Sequence, residues 1–192
     1  MVKLIGKKNK IAVFISGRGS NLKSLIKFSK KNSTFEISFV VSDNKNATGL
    51  NFTKINKIQQ LVINFKNKKL AEKKILKNLN KKKIKFIALA GFMKILSKSF
   101  IKNFNGTILN IHPSLLPKYK GLNTHKRVLK NKEIYSGCTV HLVTEKLDSG
   151  KILAQKKVRV LKNDNEISLS KKILKQEHLL YPKTIEKILT NL

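Results

Sequence analysis

Acidic residues are scarce in this chain: 10 aspartates and glutamates face 42 lysines and arginines in 192 residues, a formal charge of +32. Such an excess ordinarily points to a polyanionic partner. Arginine is scarce as well, with Arg18, Arg127 and Arg159 the only three. A dedicated nucleic-acid reader clusters its charge, uses arginine forks and interleaves stacking aromatics. Here lysine is spread over nearly every polar face, among many asparagines and isoleucines, all residues with A/T-rich codons. That is compositional drift over an ordinary globular protein. No specific nucleic-acid recognition is expected, only salt-sensitive adhesion.

Cysteine is reduced to Cys138, which excludes an internal disulfide and fits a reducing cytoplasm. No run approaches the 18 or so consecutive apolar residues of a membrane span, and the N-terminus turns polar too soon for a signal peptide. The four histidines form no HExxH or compact zinc cluster, so no metal is expected. There is no GxSxG elbow for a serine nucleophile. What is present is apolar material throughout, 41% of residues, enough for a substantial core. No linker, repeat or composition break divides the chain, so residues 1–192 are read as one domain with a basic leader over 1–9.

Apolar runs predict strands at residues 11–16, 35–42, 61–64, 84–90, 107–111, 137–143 and 151–161. Between them, helical patterns follow Ser20 and Asn21 and cover residues 47–57, 69–82, 97–104 and 124–130. In the helix over 69–82, Leu70, Ile75, Leu76 and Leu79 are expected inward. A long helical region over 166–192 contains Pro182, compatible with two helices or one kinked helix. Alternating strands and helices argue for an α/β fold with a doubly wound, mainly parallel sheet, closed by an antiparallel C-terminal strand and C-terminal helices.

Two places carry chemistry. Residues two apart on a strand share a face, so Asn110 and His112 project together, and Pro113 ends the strand just beyond them. In open α/β sheets ligands bind at such strand ends. After the first strand, Gly17-Arg-Gly-Ser-Asn21 leads into a helix, where free N–H groups and the positive helix dipole suit an anion. If Asp148 meets His112, the carboxylate favours and orients a protonated imidazole, and the Asn110 amide can donate to a developing oxyanion. Those groups suit acyl-type chemistry on a phosphorylated substrate.

With these motifs in order, the chain resembles the phosphoribosylglycinamide formyltransferase family. The likeness rests on Ile15-Ser-Gly-Arg-Gly-Ser-Asn-Leu22, Ala90-Gly-Phe-Met-Lys-Ile-Leu96, Asn110-Ile-His-Pro-Ser-Leu-Leu-Pro-Lys-Tyr119, Gly121-Leu122, Thr124-His125, Val140-His141, Leu147-Asp148 and Gln176-Glu177-His178. It begins after the leader. The resemblance implies a formyltransferase Rossmann-like fold and formyl transfer from 10-formyltetrahydrofolate, as co-substrate and without metal, to the amine of glycinamide ribonucleotide. It implies Asn110, His112 and Asp148 as catalytic residues. Gly19, Ser20, Asn21, Leu22, Lys23 and Glu177 correspond to the ribonucleotide site. Lys68, Met93, Lys94, Ile95, Leu96, Asn110 and the segment Thr144, Glu145, Lys146, Leu147 and Asp148 correspond to the folate site. It further implies small-molecule partners, no membrane, and a monomer or weak homodimer.

Lysines at 68 and 94 stand where the family often has arginine; each keeps the charge and loses the bidentate fork. Asn123 stands where relatives carry histidine. Methionyl-tRNA formyltransferases and formyltetrahydrofolate deformylases share the His-Pro-Ser-Leu-Leu-Pro type of loop or the wider superfamily, but carry additional domains and resemble this chain less.

Overall fold

The computed structural model describes residues 8–31 and 34–191. Residues 1–7 of the expected leader lie outside that range. Seven strands form one sheet in the order β3-β2-β1-β4-β5-β6-β7. The strands are β1 (Asn9–Ile15), β2 (Phe35–Ser42), β3 (Gln59–Val62), β4 (Phe86–Leu89), β5 (Thr107–His112), β6 (Tyr135–Leu142) and β7 (Ile152–Arg159). Pairings are parallel from β3 across to β5, then antiparallel at β5–β6 and β6–β7. The antiparallel end therefore comprises two pairings, with β6 alone running against the rest.

Helices α1 (Ser20–Lys31), α2 (Leu50–Ile55), α3 (Lys68–Lys81), α4 (Lys98–Asn103), α5 (Thr124–Lys130) and α6 (Glu166–Thr190) cover both faces. The alternation of β1 shows why. Ile11, Val13 and Ile15 pack with Leu22 and Leu25 of α1 and with Ile173, Tyr181 and Ile185 of α6. Ala12 and Phe14 point the other way, into a cluster with Ile75 and Leu79 of α3 and Phe100 of α4. A strand buried on both faces reads as one continuous apolar run.

Several boundaries differ from expectation. β1 starts at Asn9, inside the predicted leader, because Asn9 pairs with Phe35 and donates to the Thr34 carbonyl. β3 lies over Gln59–Val62, two residues early; it is an edge strand and its glutamines need no apolar cover. Leu70 is not inward but 63% exposed, whereas Ala71, Glu72, Ile75 and Leu79 are buried. Five residues separate Leu70 from Ile75, roughly 140° around the helix, so they cannot share a face. Glu72 is buried in its place because it accepts from the amide and hydroxyl of Ser97, which caps α4.

The C-terminal region is one helix rather than two, continuous through Pro182. Proline has no N–H for the carbonyl four residues earlier, His178. The Ser24 hydroxyl of α1 donates to that carbonyl at 2.8 Å and supplies the missing bond. One turn along, Tyr181 is fully buried with its hydroxyl 3.0 Å and 3.1 Å from the carbonyls of Leu89 and Leu109. This seats α6 against β4 and β5.

Candidate active site

The strand order reverses between β1 and β4, so the chain diverges from their carboxyl ends and leaves a crevice there. A cavity of about 540 Å³ opens at that edge, a size suited to a small organic ligand. Its floor is β5, which brings in Asn110, Ile111 and His112; its walls are the segment after β4, the loop after β6, and the start of α5.

The period of β5 places Asn110 and His112 on one face, as expected. The turn after β6 then brings Asp148 against them: its Oδ2 is 3.4 Å from His112 Nδ1. Asp148 has φ +46°, a strained conformation for a side-chain-bearing residue, and its carboxylate is 2.8 Å from the amide of Gly121, which donates to it. His112 Nε2 donates to the Tyr119 carbonyl at 2.9 Å, since a carbonyl can only accept. The loop after Pro113 thus supplies partners to both members of the pair. It is itself tied to the sheet: Leu116 N–H donates to the Thr139 hydroxyl, which donates to the Ser114 carbonyl, and Gln155 donates to the Leu116 carbonyl.

His141 completes the group and had no assigned role from sequence. Antiparallel register sets it directly across from Asn110. Its Nδ1 donates to the Leu142 carbonyl at 2.8 Å, leaving Nε2 to accept from the Asn110 amide at 3.2 Å. One amide hydrogen of Asn110 is thereby used to hold its orientation and the second remains available. His141 Nε2 also lies 3.5 Å from Asp148 Oδ1. Only the register of β6 reveals this contact, and no local pattern encodes that register.

Burial sets the electrostatics. It pushes the His112 imidazole below its ordinary value of 6.5, against the Tyr119 carbonyl and Asp148, which pull upward. The expectation that Asp148 keeps the ring protonated is therefore outweighed by desolvation. Burial also acts on Asp148, upward, but the His141 imidazole, the Gly121 amide and the His112 charge reverse it and hold the carboxyl below its usual range. His125, on the same cavity wall, is lowered by burial against the pull of Glu166.

Also on the cavity wall, Asn21 donates to Glu177 at 2.7 Å. Glu177 is buried and burial raises its carboxyl, with Asn21 pulling the other way. The adjoining βα turn is held by backbone approach: a Cβ on Gly19, whose φ is +69°, would lie 2.7 Å from the Gly49 Cα. Gly49 caps α2, and its amide donates to the Gly17 carbonyl.

Of the sequence-predicted residues, the cavity wall includes Asn21, Met93, Lys94, Ile95, Leu96, Asn110, His112, Thr144, Glu145, Lys146, Leu147, Asp148 and Glu177. Gly19, Ser20, Leu22, Lys23 and Lys68 are not on it. Leu22 is fully buried in the core, so its side chain belongs to packing. Lys68 opens α3 and is exposed. Asn123 adopts φ +56° at the start of α5, a left-handed conformation that asparagine tolerates. Among the described residues, no three histidine, cysteine or acidic side chains are grouped to hold a metal ion.

Residues 9–185 match the family described as formyl transferase. The chain is 37% identical over 179 residues to phosphoribosylglycinamide formyltransferase of Escherichia coli (strain K12), covering 91% of this chain and 84% of that protein. It is 40% identical over 184 residues to the human trifunctional purine biosynthetic protein adenosine-3, covering 94% of this chain but 18% of that much longer protein. The solved phosphoribosylglycinamide formyltransferase of Brucella melitensis superposes with TM-score 0.90 at 44% identity, covering 95% of this chain and 96% of the other.

Proposed function

The chain belongs to the formyl transferase family, alongside its phosphoribosylglycinamide formyltransferases, and on that premise we propose that it transfers a formyl group from 10-formyltetrahydrofolate to the amine of 5'-phosphoribosylglycinamide in purine synthesis. The observation that carries the reading is the meeting of Asn110, His112 and Asp148 in a cavity that is also lined by Asn21 and Glu177. The cavity's apolar stretch of Met93, Ile95, Leu96 and Leu147 suits a flat heterocycle. In this reading the ribose lies at Glu177 and the phosphate at the free N–H groups of Gly19, Ser20 and Asn21 that open α1. Leu22 and Lys23 would contribute backbone to that turn. Lys68 and Lys94 would face the carboxylates of the folate tail. Cys138 is a free buried thiol, and no helix among the described residues is long and apolar enough to cross a membrane. The free thiol fits a reducing cytoplasm, and we propose that the protein acts there as a monomer or weak homodimer.

The steps follow from the groups' chemistry. The acceptor nitrogen attacks the formyl carbon, and the formyl oxygen becomes an oxyanion. The second Asn110 amide hydrogen stabilises that charge. The amine must shed a proton, and the neutral His112 imidazole beside the Asp148 carboxylate takes it up. The resulting imidazolium lies beside the Asp148 carboxylate and adds to the stabilisation of the adduct. Collapse then returns a proton to the leaving nitrogen of the folate, giving the formamide and tetrahydrofolate with no covalent enzyme intermediate.

A formyl-transfer assay with both substrates tests this, comparing the wild type with His112→Ala and Asp148→Asn. Turnover is expected to fall about 10²-fold or more in each variant, with ribonucleotide binding largely kept. Full activity in either variant would overturn the assigned roles.

A further inference from the structure

We propose that Asp43 is a specificity-determining residue that acts through Lys94, withholding its charge from the anionic tail of the formyl donor. The inference rests on the formyl-folate reading of the cavity. Lys94 is on the cavity wall and its side chain is 46% exposed. Its ammonium is 3.6 Å from Asp43 Oδ2, and the Asp43 side chain is only 8% exposed. The other oxygen of Asp43 accepts from the Ser16 hydroxyl. Ser16 Oγ in turn accepts from the Met93 amide at 2.8 Å, the residue before Lys94. Ser16 follows β1, Asp43 follows β2 and Met93 follows β4. The carboxylate is therefore locked to the same backbone that carries the lysine.

A folate ends in a glutamate with two carboxylates, and each further glutamate adds another negative charge. A carboxylate arriving at Lys94 has two options. It can displace Asp43, leaving a nearly buried charge without its cation, which is unfavourable. Or it can share the ammonium, placing two carboxylates side by side, and like charges repel. Either way Lys94 returns little affinity for added tail charge. Glu145, on the cavity wall, also pairs with a lysine, the exposed Lys98, at 2.9 Å. The chain is thus fitted to donors with short tails, despite its lysine excess.

Asp43→Asn isolates the effect, because an asparagine oxygen still accepts from Ser16 while the negative charge is gone. Tetrahydrofolate carrying one or five glutamates is titrated into wild type, Asp43→Asn, Lys94→Met and the double variant, and turnover is followed in parallel. Affinity for the one-glutamate ligand is expected to rise roughly two- to fivefold in Asp43→Asn, the range of one partly exposed pair. The gain is larger with five glutamates and shrinks in high salt. It disappears in the Lys94→Met background. Donor KM follows the same pattern, while kcat and acceptor KM change little. Equal affinity of wild type and Asp43→Asn for both ligands, or the same gain without Lys94, would overturn the proposal. So would a joint shift of kcat and both KM values, which marks a purely structural role. If the wild type binds tetrahydrofolate with this pattern but transfers no formyl group, the function is wrong and the Asp43 assignment stands.

Discussion

His112 is held between the Tyr119 carbonyl and the Asp148 carboxylate, in a place where burial outweighs both. Its folded-state value lies below 6.5, so at neutral pH the ring is neutral and able to take the amine's proton. The value of kcat/KM should therefore rise with pH through an acidic limb below 6.5. Because Asp148 pulls His112 upward, the residual activity of Asp148→Asn should show that limb at lower pH than the wild type; an unmoved limb would detach it from His112. The same shift has a stability consequence. His112, His125 and His178 are all lowered by burial from 6.5, so as pH falls below that value the unfolded chain binds protons before the folded one does. Their contribution is fully present above 6.5 and is lost on descent. Melting temperature should drop between pH 7.5 and about 5.5, and a flat profile would contradict it. Glu177 has the opposite sign, raised by burial. Glu177→Gln keeps an acceptor for Asn21 and removes a buried charge, so it should melt higher at neutral pH while weakening ribonucleotide binding. Thermal melts beside acceptor KM measurements separate the two effects. At this scale Asn110 and His112 were legible from the two-residue period of a strand. Asp43 and His141 were not, since each acts through a neighbour distant in sequence.

Among the secondary elements, legibility followed burial. Strands covered on both faces announced themselves as apolar runs, whereas edge strand β3, with three of four residues exposed, was expected two residues late, on the apolar stretch that begins at Leu61. The helix through Pro182 shows a local rule overridden by a distant contact. The freed His178 carbonyl is satisfied by Ser24, 154 residues earlier in the chain. Removing that hydroxyl with Ser24→Ala leaves a partly buried acceptor without its partner and should destabilise the fold by about 1–3 kcal/mol. Chemical denaturation measures this. The informative control is Ser24→Ala with Pro182→Ala, where a helical N–H replaces the hydroxyl and the two losses should not add. The Gly19–Gly49 contact makes a related point. Glycine disfavours a helix, but at Gly49 the missing side chain lets the α2 start approach the anion turn. Gly49→Ala is expected to weaken ribonucleotide binding as well as stability by about 1–3 kcal/mol through overpacking; a normal acceptor affinity would show the turn to be independent of that packing.

For the molecule as a whole, the ten acids are more informative than the surplus of lysines. Glu145, Asp148, Glu166 and Glu177, four of the ten, line the cavity at the ends of β4 and β5. Asp43 holds Lys94, Glu72 accepts from Ser97, the cap of α4, Glu133 holds Lys118 and the Tyr119 hydroxyl, and Asp164 bonds Leu161, Ser168 and Lys172. Eight of the ten acids thus hold a partner or line the cavity, while lysine occupies exposed positions on all the longer helices. This distribution is what codon drift constrained by a working site produces. A polyanion-binding surface would instead concentrate its charge on one face. Adhesion to duplex DNA should follow accordingly: measurable at about 50 mM salt, steeply lost by about 200 mM, and the same for unrelated sequences, because it is counterion release alone. Fluorescence anisotropy with two unrelated duplexes across that range measures it. Tight binding of one sequence at physiological salt would mean the lysines serve recognition after all, and the reading of this charge as drift would fall.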